Sequence, residues 1–438
     1  MGLAILRRFA MAGLTCVLLE KGADILSGAS KGNSALLHTG FDAPPKSIEI
    51  SCMKAGYAEY LDIHRKLNLP LIRSTALVVA WTEADLAAFP AIVAKAHKNG
   101  VADVRQIGRT ELRLKERHLA ATALGAVLVP GEAIIDPWSA PLAYAHQAIA
   151  HGAKIIRNAE VTGGIFAEGE WRLASPQGEV AARIVINAAG NFGDLVEAIA
   201  RPSPFTIRPR KGQFVVFDKP GAKLASAVIL PVPSERTKGV ALFRTAFGNL
   251  AIGPTAEDVD ERQIAACDGD TLMKLKNRAI EMLPALEGIN VNAIYAGLRP
   301  ASGHKDYVIE ALKEQNWITV GGIRSTGLTA SLGIAQLVAK LYAKNFGKLP
   351  KKVPEPKWTP VANLAEDNLR PHVRGGEIIC HCELVTRGEI EAALGGPLPA
   401  GDVGGLKRRT RAMMGRCQGF YCSAQVAAIM RESDHGKP

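Results

Sequence analysis

Four cysteines crowd one short stretch of a 438-residue chain, Cys380 and Cys382 as C-x-C, then Cys417 and Cys422 as C-x-x-x-x-C. Two short-range pairs on separate loops bring four thiolates to one compact inorganic core without closing four independent loops. The spacing points to a 2Fe-2S ligand set. Zinc is the competing reading, but structural zinc sites draw thiolate pairs from C-x-x-C turns, and neither pair has that spacing. The other three cysteines, Cys16, Cys52 and Cys267, stand alone in stretches that read as core or helix. This usage implies no structural disulfides and places the chain in a reducing compartment with a redox-active metal centre.

With 47% hydrophobic residues, the chain can bury one large multi-lobed catalytic unit plus a small appendage. No apolar run nears the ~20 residues that span a bilayer, and the N-terminus lacks a signal-peptide layout. A cytoplasmic chain is expected, with at most peripheral contact at the inner face of the membrane. The net charge of +11 fits an anionic surface or an acidic substrate without choosing between them. Lys407, Arg408, Arg409 and Arg411 precede the second cysteine pair. Cations beside a negatively charged cluster stabilise it, a role preferred here to nucleic-acid binding. Residues 348–375 are rich in proline and lysine, the composition of an extended linker, and 376–438 form the cluster domain.

The first residues read as half of a dinucleotide-binding unit. Residues 2–9 start an amphipathic helix, Gly13 closes it, and 15–19 make a short apolar strand ending at Glu20 and Lys21. In G-x-G-x-x-G units the motif joins a first strand to a helix, and an acidic residue about 20 positions on takes the ribose hydroxyls. Gly2 stands where the third glycine belongs and Glu20 at the ribose position, so an N-terminal truncation is expected. Residues 27–42, SGASKGNSALLHTGFD, put small side chains such as Ser30, Gly32 and Ser34 where backbone amides can approach phosphate oxygens. Residues 183–190, RIVINAAG, read as a buried strand entering a small-residue turn at Ala189 and Gly190. Residues 317–331, WITVGGIRSTGLTAS, read as a strand, a glycine pair and a helix start suited to anionic phosphate.

These segments resemble the D-amino-acid-oxidase superfamily of FAD-dependent oxidoreductases, and within it the glycerol-3-phosphate and L-2-hydroxyglutarate dehydrogenases. The segments RPRKGQFVVFDK (208–219), GNLAIGPTAED (248–258) and AGLRP (296–300) extend that resemblance across the first 345 residues or so. ICHCE (379–383) and KRRTRAMMGRCQGFYC (407–422) resemble the bacterioferritin-associated-ferredoxin-like domain that ends many flavin dehydrogenases. The implied fold is α/β: a Rossmann-like FAD-binding lobe without its first strand, a β-rich substrate lobe, and a small helical 2Fe-2S domain. The FAD lobe is expected at about 1–50, 130–205 and 295–347. The substrate lobe takes 51–129 and 206–294, with strands at 212–218, 228–232 and 239–243.

The resemblance assigns FAD to Gly2, Glu20, Lys21, Ser30, Gly32, Asn33, Ser34, Val161, Ala189, Gly190, Gly322, Thr326, Gly327, Leu328 and Thr329. It assigns the cluster to Cys380, Cys382, Cys417 and Cys422. Arg299 matches an arginine that holds the substrate's carboxylate or phosphate, a task suited to a guanidinium fork. His38, near-neutral in intrinsic pKa, is the acid/base candidate, with His304 and Lys305 as weaker ones. The implied reaction takes a hydride from a hydroxyl-bearing carbon of a small anionic substrate. Electrons pass through FAD and the cluster to a quinone or an electron-transfer protein, and a companion subunit is a further partner. Where glycerol-3-phosphate dehydrogenases carry Arg-Tyr after H-x-G, this chain has Phe41 and Asp42. A carboxylate there would repel phosphate, which favours 2-hydroxy acids. Part of an amine or imino-acid dehydrogenase and a non-catalytic iron-sulfur electron carrier are the other readings.

Overall fold

Strands with apolar residues at consecutive positions need cover on both faces. In the computed structural model, which describes residues 1–233, 239–350, 355–366 and 376–435, such strands meet in one nine-stranded sheet. Its order runs Glu257–Asp258, Arg210–Phe217, Leu250–Gly253, Ala241–Arg244, Val228–Pro231, Ala76–Ala80, Gly125–Val129, Arg105–Gly108, with Val291–Arg299 also paired to Arg210–Phe217. Pairing is antiparallel except between Val228–Pro231 and Ala76–Ala80. Alternate side chains enter different cores. Leu77, Val79, Val215, Phe217 and Leu242 pack on one face with the helix Gly269–Met282. Ala76, Val78, Phe214, Val216 and Phe243 pack on the other with the helix Glu83–Lys98. Three strands expected from sequence lie here, at Arg210–Phe217, Val228–Pro231 and Ala241–Arg244.

The other half is built on parallel pairing. Val17–Leu19 pairs with Lys154–Ile156, while Val185–Asn187 pairs with Trp317–Gly321, which also runs antiparallel to Val308–Leu312. Among the described residues these are two separate sheets. The helices Gly2–Met11, Ile48–Ile63, Ser139–Ala150 and Gly327–Asn345 share one core around Leu3, Phe9, Met53, Tyr144, Leu332 and Val338. The helix Gly2–Met11, expected to be amphipathic, is enclosed. Leu3, Ala4, Ile5, Leu6, Phe9 and Ala10 are buried, and Arg7 is 3% exposed, bonded to Glu59 and Gln147. A helix apolar on most sides belongs inside, and its one buried charge needs a partner.

The lobe break expected at 50/51 falls within the helix Ile48–Ile63, and that at 294/295 within the strand Val291–Arg299. The helix instead crosses Gly327–Asn345 backbone to backbone, with Gly56 against the Thr329 carbonyl and Gly333 against that of Cys52. A Cβ at either position would collide with a carbonyl, so only glycine permits the crossing.

The antiparallel pair Ile378–Cys380 and Val385–Thr386 and the helices Arg387–Leu394, Val403–Thr410 and Ser423–His435 form the small C-terminal domain around Ile379, Val385, Ile390, Leu406 and Val426. Its dock is Asp24, whose fully buried carboxylate accepts from Arg409 Nη2 at 2.9 Å and Nη1 at 2.5 Å, and from the Gly401 N–H at 3.2 Å. Arg408 Nη2 donates to the Ile25 carbonyl, and Arg157 donates to that of Pro399. Arg411 pairs with Glu383 and lies 3.8 Å over the Phe247 ring. Phe247 stacks on Trp138 at 5.5 Å, and Trp138 Nε1 donates to the Lys31 carbonyl. Most of the basic run therefore fastens the domain to the catalytic part instead of facing the cysteines, and Lys407 is the member whose charge acts on Cys422.

Residues 355–366 of the expected linker are extended but not loose. Leu364 and Ala365 are buried, the Val361 N–H donates to Leu67, and Glu366 pairs with Lys219. Residues 351–354 and 367–375 of that stretch, and 436–438 of the cluster domain, lie outside the described residues. No described helix is long and apolar enough to cross a membrane.

Gly333→Val is expected to destabilise the catalytic part by about 3 kcal/mol, read as a lower unfolding midpoint, because neither helix backbone can retreat. Asp24→Ala strands Arg409 in a buried site at a cost of about 3–5 kcal/mol. Limited proteolysis should then release the C-terminal domain sooner than in the wild type.

Candidate active site and iron-sulfur ligand set

One cavity of about 2060 Å³ opens between the two halves. That is about twice the upper end for a drug-sized ligand, enough for a dinucleotide and a small substrate together. Gly2, Glu20, Lys21, Ser30, Gly32, Asn33, Ser34, Val161, Ala189, Gly190, Gly322, Thr326, Gly327 and Leu328 all line it, as do His38 and Arg299. Thr329 does not. It is buried, and its hydroxyl accepts from the His38 N–H at 3.0 Å and donates to the Leu36 carbonyl at 3.3 Å. Its hydroxyl supports the His38 turn from beneath. His304 sits at the surface with its ring against the Pro204 carbonyl.

The wall suits FAD. The helices Gly2–Met11 and Gly327–Asn345 both begin at the cavity, and their first N–H groups and positive dipole ends favour a pyrophosphate. Gly2 lies against Leu18 and Ala188, at the ends of both parallel sheets, and Gly327 lies against Met1. Thr326 takes a left-handed φ of 57°, held by its hydroxyl's bonds to Glu49 Oε1 at 2.9 Å and Tyr307 at 2.7 Å. Glu20, at the end of its strand, accepts from the Gly22 N–H at 2.8 Å, and burial raises its pKa. A desolvated carboxylate gains from hydroxyl donors such as a ribose offers. Lys21 Nζ lies 3.5 Å over the Phe192 ring and braces the turn after Ala189. Gly32 packs directly on Gly297, and Tyr295 donates to the Asn33 carbonyl at 2.9 Å, so loop 27–34 lies flat on the substrate-side sheet. FAD bound here supplies a two-electron acceptor that passes electrons on singly.

At the substrate end, His38 Nδ1 is 2.7 Å from Glu132 Oε2. Glu132 is 2% exposed, and its Oε1 accepts from the Thr39 N–H at 2.7 Å and hydroxyl at 2.8 Å. Sequence reasoning missed Glu132, which follows a Pro-Gly turn 94 residues from His38 and carries no motif. Arg299 is anchored: Nε donates to the Arg210 carbonyl at 3.2 Å and Nη2 to that of Thr255 at 2.6 Å. Burial, reinforced by Arg210, pulls its pKa down to about 10. An anion in this cavity would meet a fixed cation rather than a freely swinging fork. Asp42 is not on the cavity wall, and its turn is tied down by Asn99 Nδ2, which donates to the carbonyls of Gly40, Phe41 and Ala43. The repulsion expected from Asp42 therefore lacks its geometric basis.

The four C-terminal cysteines meet as two thiol pairs, Cys380 with Cys422 and Cys382 with Cys417. Among the described residues no group of three or more His, Cys, Asp or Glu is gathered around a single ion position. All four thiols lie within interaction range of one another, so they would together hold a cluster core that needs four thiolates. The N–H groups of Tyr421, Gly419 and Phe420 point at Cys417 and lower its pKa, favouring thiolate. Cys380 and Cys422 are buried in the domain core, whereas Cys382 and Cys417 are partly exposed.

Residues 1–341 match the FAD dependent oxidoreductase family and residues 378–432 the BFD-like 2Fe-2S binding domain. A glycerol 3-phosphate dehydrogenase of Caloramator mitchellensis is 29% identical over 98% of this chain and 91% of its own length. One subunit of the anaerobic glycerol-3-phosphate dehydrogenase of Escherichia coli K12 is 24% identical over 98% of this chain and 86% of its own. The L-alpha-glycerophosphate oxidase structure from Mycoplasma pneumoniae, with FAD bound, shares the fold at a TM-score of 0.75 and 22% identity, covering 82% of this chain and 95% of that one. The chain belongs to the FAD dependent oxidoreductase family, carries a BFD-like 2Fe-2S domain, and is an FAD-dependent oxidoreductase similar to glycerol 3-phosphate dehydrogenases.

Proposed function

We propose that this protein oxidises glycerol 3-phosphate, with 2-hydroxy acids as the second substrate class, and passes the electrons through the cluster to a quinone or a protein acceptor. The observation that carries this reading is a histidine backed by a buried carboxylate on the same cavity wall as an anchored arginine. Arg299 binds the substrate's anionic group, and His38 takes the hydroxyl proton. The packed loop 27–34 limits water on one side of the reacting carbon. Glycerol 3-phosphate moves ahead of 2-hydroxy acids because Asp42 is off the cavity wall and two relatives matched over 98% of this chain carry that activity in their names. The relative from Escherichia coli is named as one subunit of its enzyme, which supports a companion chain as the electron acceptor's host.

Anaerobic titration of the purified holoprotein should bleach the flavin with glycerol 3-phosphate, more slowly with 2-hydroxy acids, and not with proline-like amines. Bleaching by amines alone would overturn the reading. Since the anion needs a protonated guanidinium, substrate affinity should fall as pH rises through about 10, the value to which burial pulls Arg299. Arg299→Ala should raise KM about 30-fold or more at neutral pH and abolish that high-pH limb. Cys417→Ser should remove the cluster's visible absorbance while leaving flavin reduction by substrate in place, separating the two redox centres.

A further inference from the structure

The geometry points to Glu132 as the positioning residue for His38, the carboxylate that fixes the imidazole's orientation and holds the proton on Nδ1. This rests on the alcohol-oxidising reading above and deepens it. Glu132 stands immediately before the strand Ala133–Ile135, which is paired on both sides, to Leu36–Leu37 and to Leu71–Arg73. Its own carbonyl accepts from the Thr75 N–H, so its backbone has little freedom. One carboxylate oxygen takes both the N–H and the hydroxyl of Thr39, and the other faces His38 Nδ1 at 2.7 Å. From the opposite side Thr329 accepts the His38 N–H. The imidazole is thus held by Glu132 and its backbone by Thr329, two elements that meet only in the folded state.

A buried carboxylate with three donors around it has its oxygens directed rather than swinging, and an imidazole bonded through Nδ1–H exchanges protons at Nε2. When a secondary alcohol becomes a ketone, bound FAD would be the two-electron oxidant that takes the C–H electron pair. The O–H proton passes to His38 Nε2. The resulting imidazolium keeps its Nδ1–H bonded to Glu132, so charge on the ring is matched by charge already in place. Tyr57 of the helix Ile48–Ile63 is an ionisable neighbour of Glu132, and Arg73 and Asp103 act on Tyr57 in turn. Tyr57 donates to the Gly131 carbonyl and has its pKa raised by burial and then by Glu132. Neither Tyr57 nor Arg73 replaces the Glu132 contact to Nδ1.

Glu132→Gln retains shape and the Thr39 contacts while removing the charge, and it is the variant to make. In ligand-free holoprotein, ¹⁵N–¹H spectra of the histidine rings, with His38→Asn to identify the signal, should show the Nδ1–H form in the wild type. In Glu132→Gln the His38 titration midpoint should fall by about one pH unit or more, because an opposite charge within hydrogen-bond range favours imidazolium. Stopped-flow flavin reduction by glycerol 3-phosphate should slow by about 10²- to 10⁴-fold in Glu132→Gln, with little change in substrate Kd. An unchanged midpoint and tautomer in Glu132→Gln overturns the inference, whatever the rates. A wild type reduced by no hydroxy compound would instead sink the proposed function, and the spectra would still decide the role of Glu132. If Glu132→Gln raises Kd and leaves the reduction rate constant alone, Glu132 shapes binding and the positioning role fails.

Discussion

Two helices, Ile48–Ile63 and Gly327–Asn345, cross so closely that Gly56 and Gly333 each meet a carbonyl of the other helix. Two parts of the cavity wall are referenced to that crossing. It sets Thr329 beneath His38, brings Glu49 to the Thr326 hydroxyl, and so fixes both the turn at the helix start and the base candidate. Close backbone approach of this kind contributes dispersion and excludes water, but its larger effect is rigidity, since neither helix can shift without steric conflict. A site that must align a substrate with a cofactor needs that stiffness more than it needs stability.

A second constraint ties the two redox centres together. Asp24 lies only four residues beyond Glu20, so the loop that closes the cofactor strand also anchors the iron-sulfur domain through Arg409. Ion pairs taken wholly out of water are poor sources of net stability but punish alternative arrangements severely. Here that penalty fixes where the small domain sits. Arg411, Phe247, Trp138 and the Lys31 carbonyl form a continuous line of contacts from the cysteine loop to the cofactor-facing loop. A tethered cluster swinging on a free linker would lack such a line, and residues 355–366 are packed rather than free.

Several parts of the site were legible in the chain because their chemistry is local. Glycines and small residues at Gly2, Ser30, Gly32, Gly322 and Gly327 mark places where backbone must approach a ligand or start a helix, and each lies on the cavity wall. The apolar runs expected to be strands at 212–218, 228–232 and 239–243 fall on Arg210–Phe217, Val228–Pro231 and Ala241–Arg244. Thr329, third residue of the helix Gly327–Asn345, turns its hydroxyl to the Leu36 carbonyl, a pairing that its local sequence does not encode. The basic run was misread because its charge pattern says nothing about which carboxylate it will meet, and Asp24 is nearly 400 residues away.

By itself the sequence determined the cofactor classes and marked the turns: paired thiols for a cluster, glycine turns and helix starts for a dinucleotide, with Arg299 and His38 as candidates that the structure brings to one cavity wall. These follow from residue chemistry and short-range geometry, which neighbouring positions encode directly. Only the tertiary structure decided that Glu132 stands behind His38, that Arg299 is anchored by carbonyls, that Asp42 lies off the cavity wall, and that Asp24 holds the cluster domain. Those pairings join segments tens to hundreds of residues apart. A hydrogen bond depends on ångström distances that no linear spacing specifies, so they come into being only when the two halves close on each other.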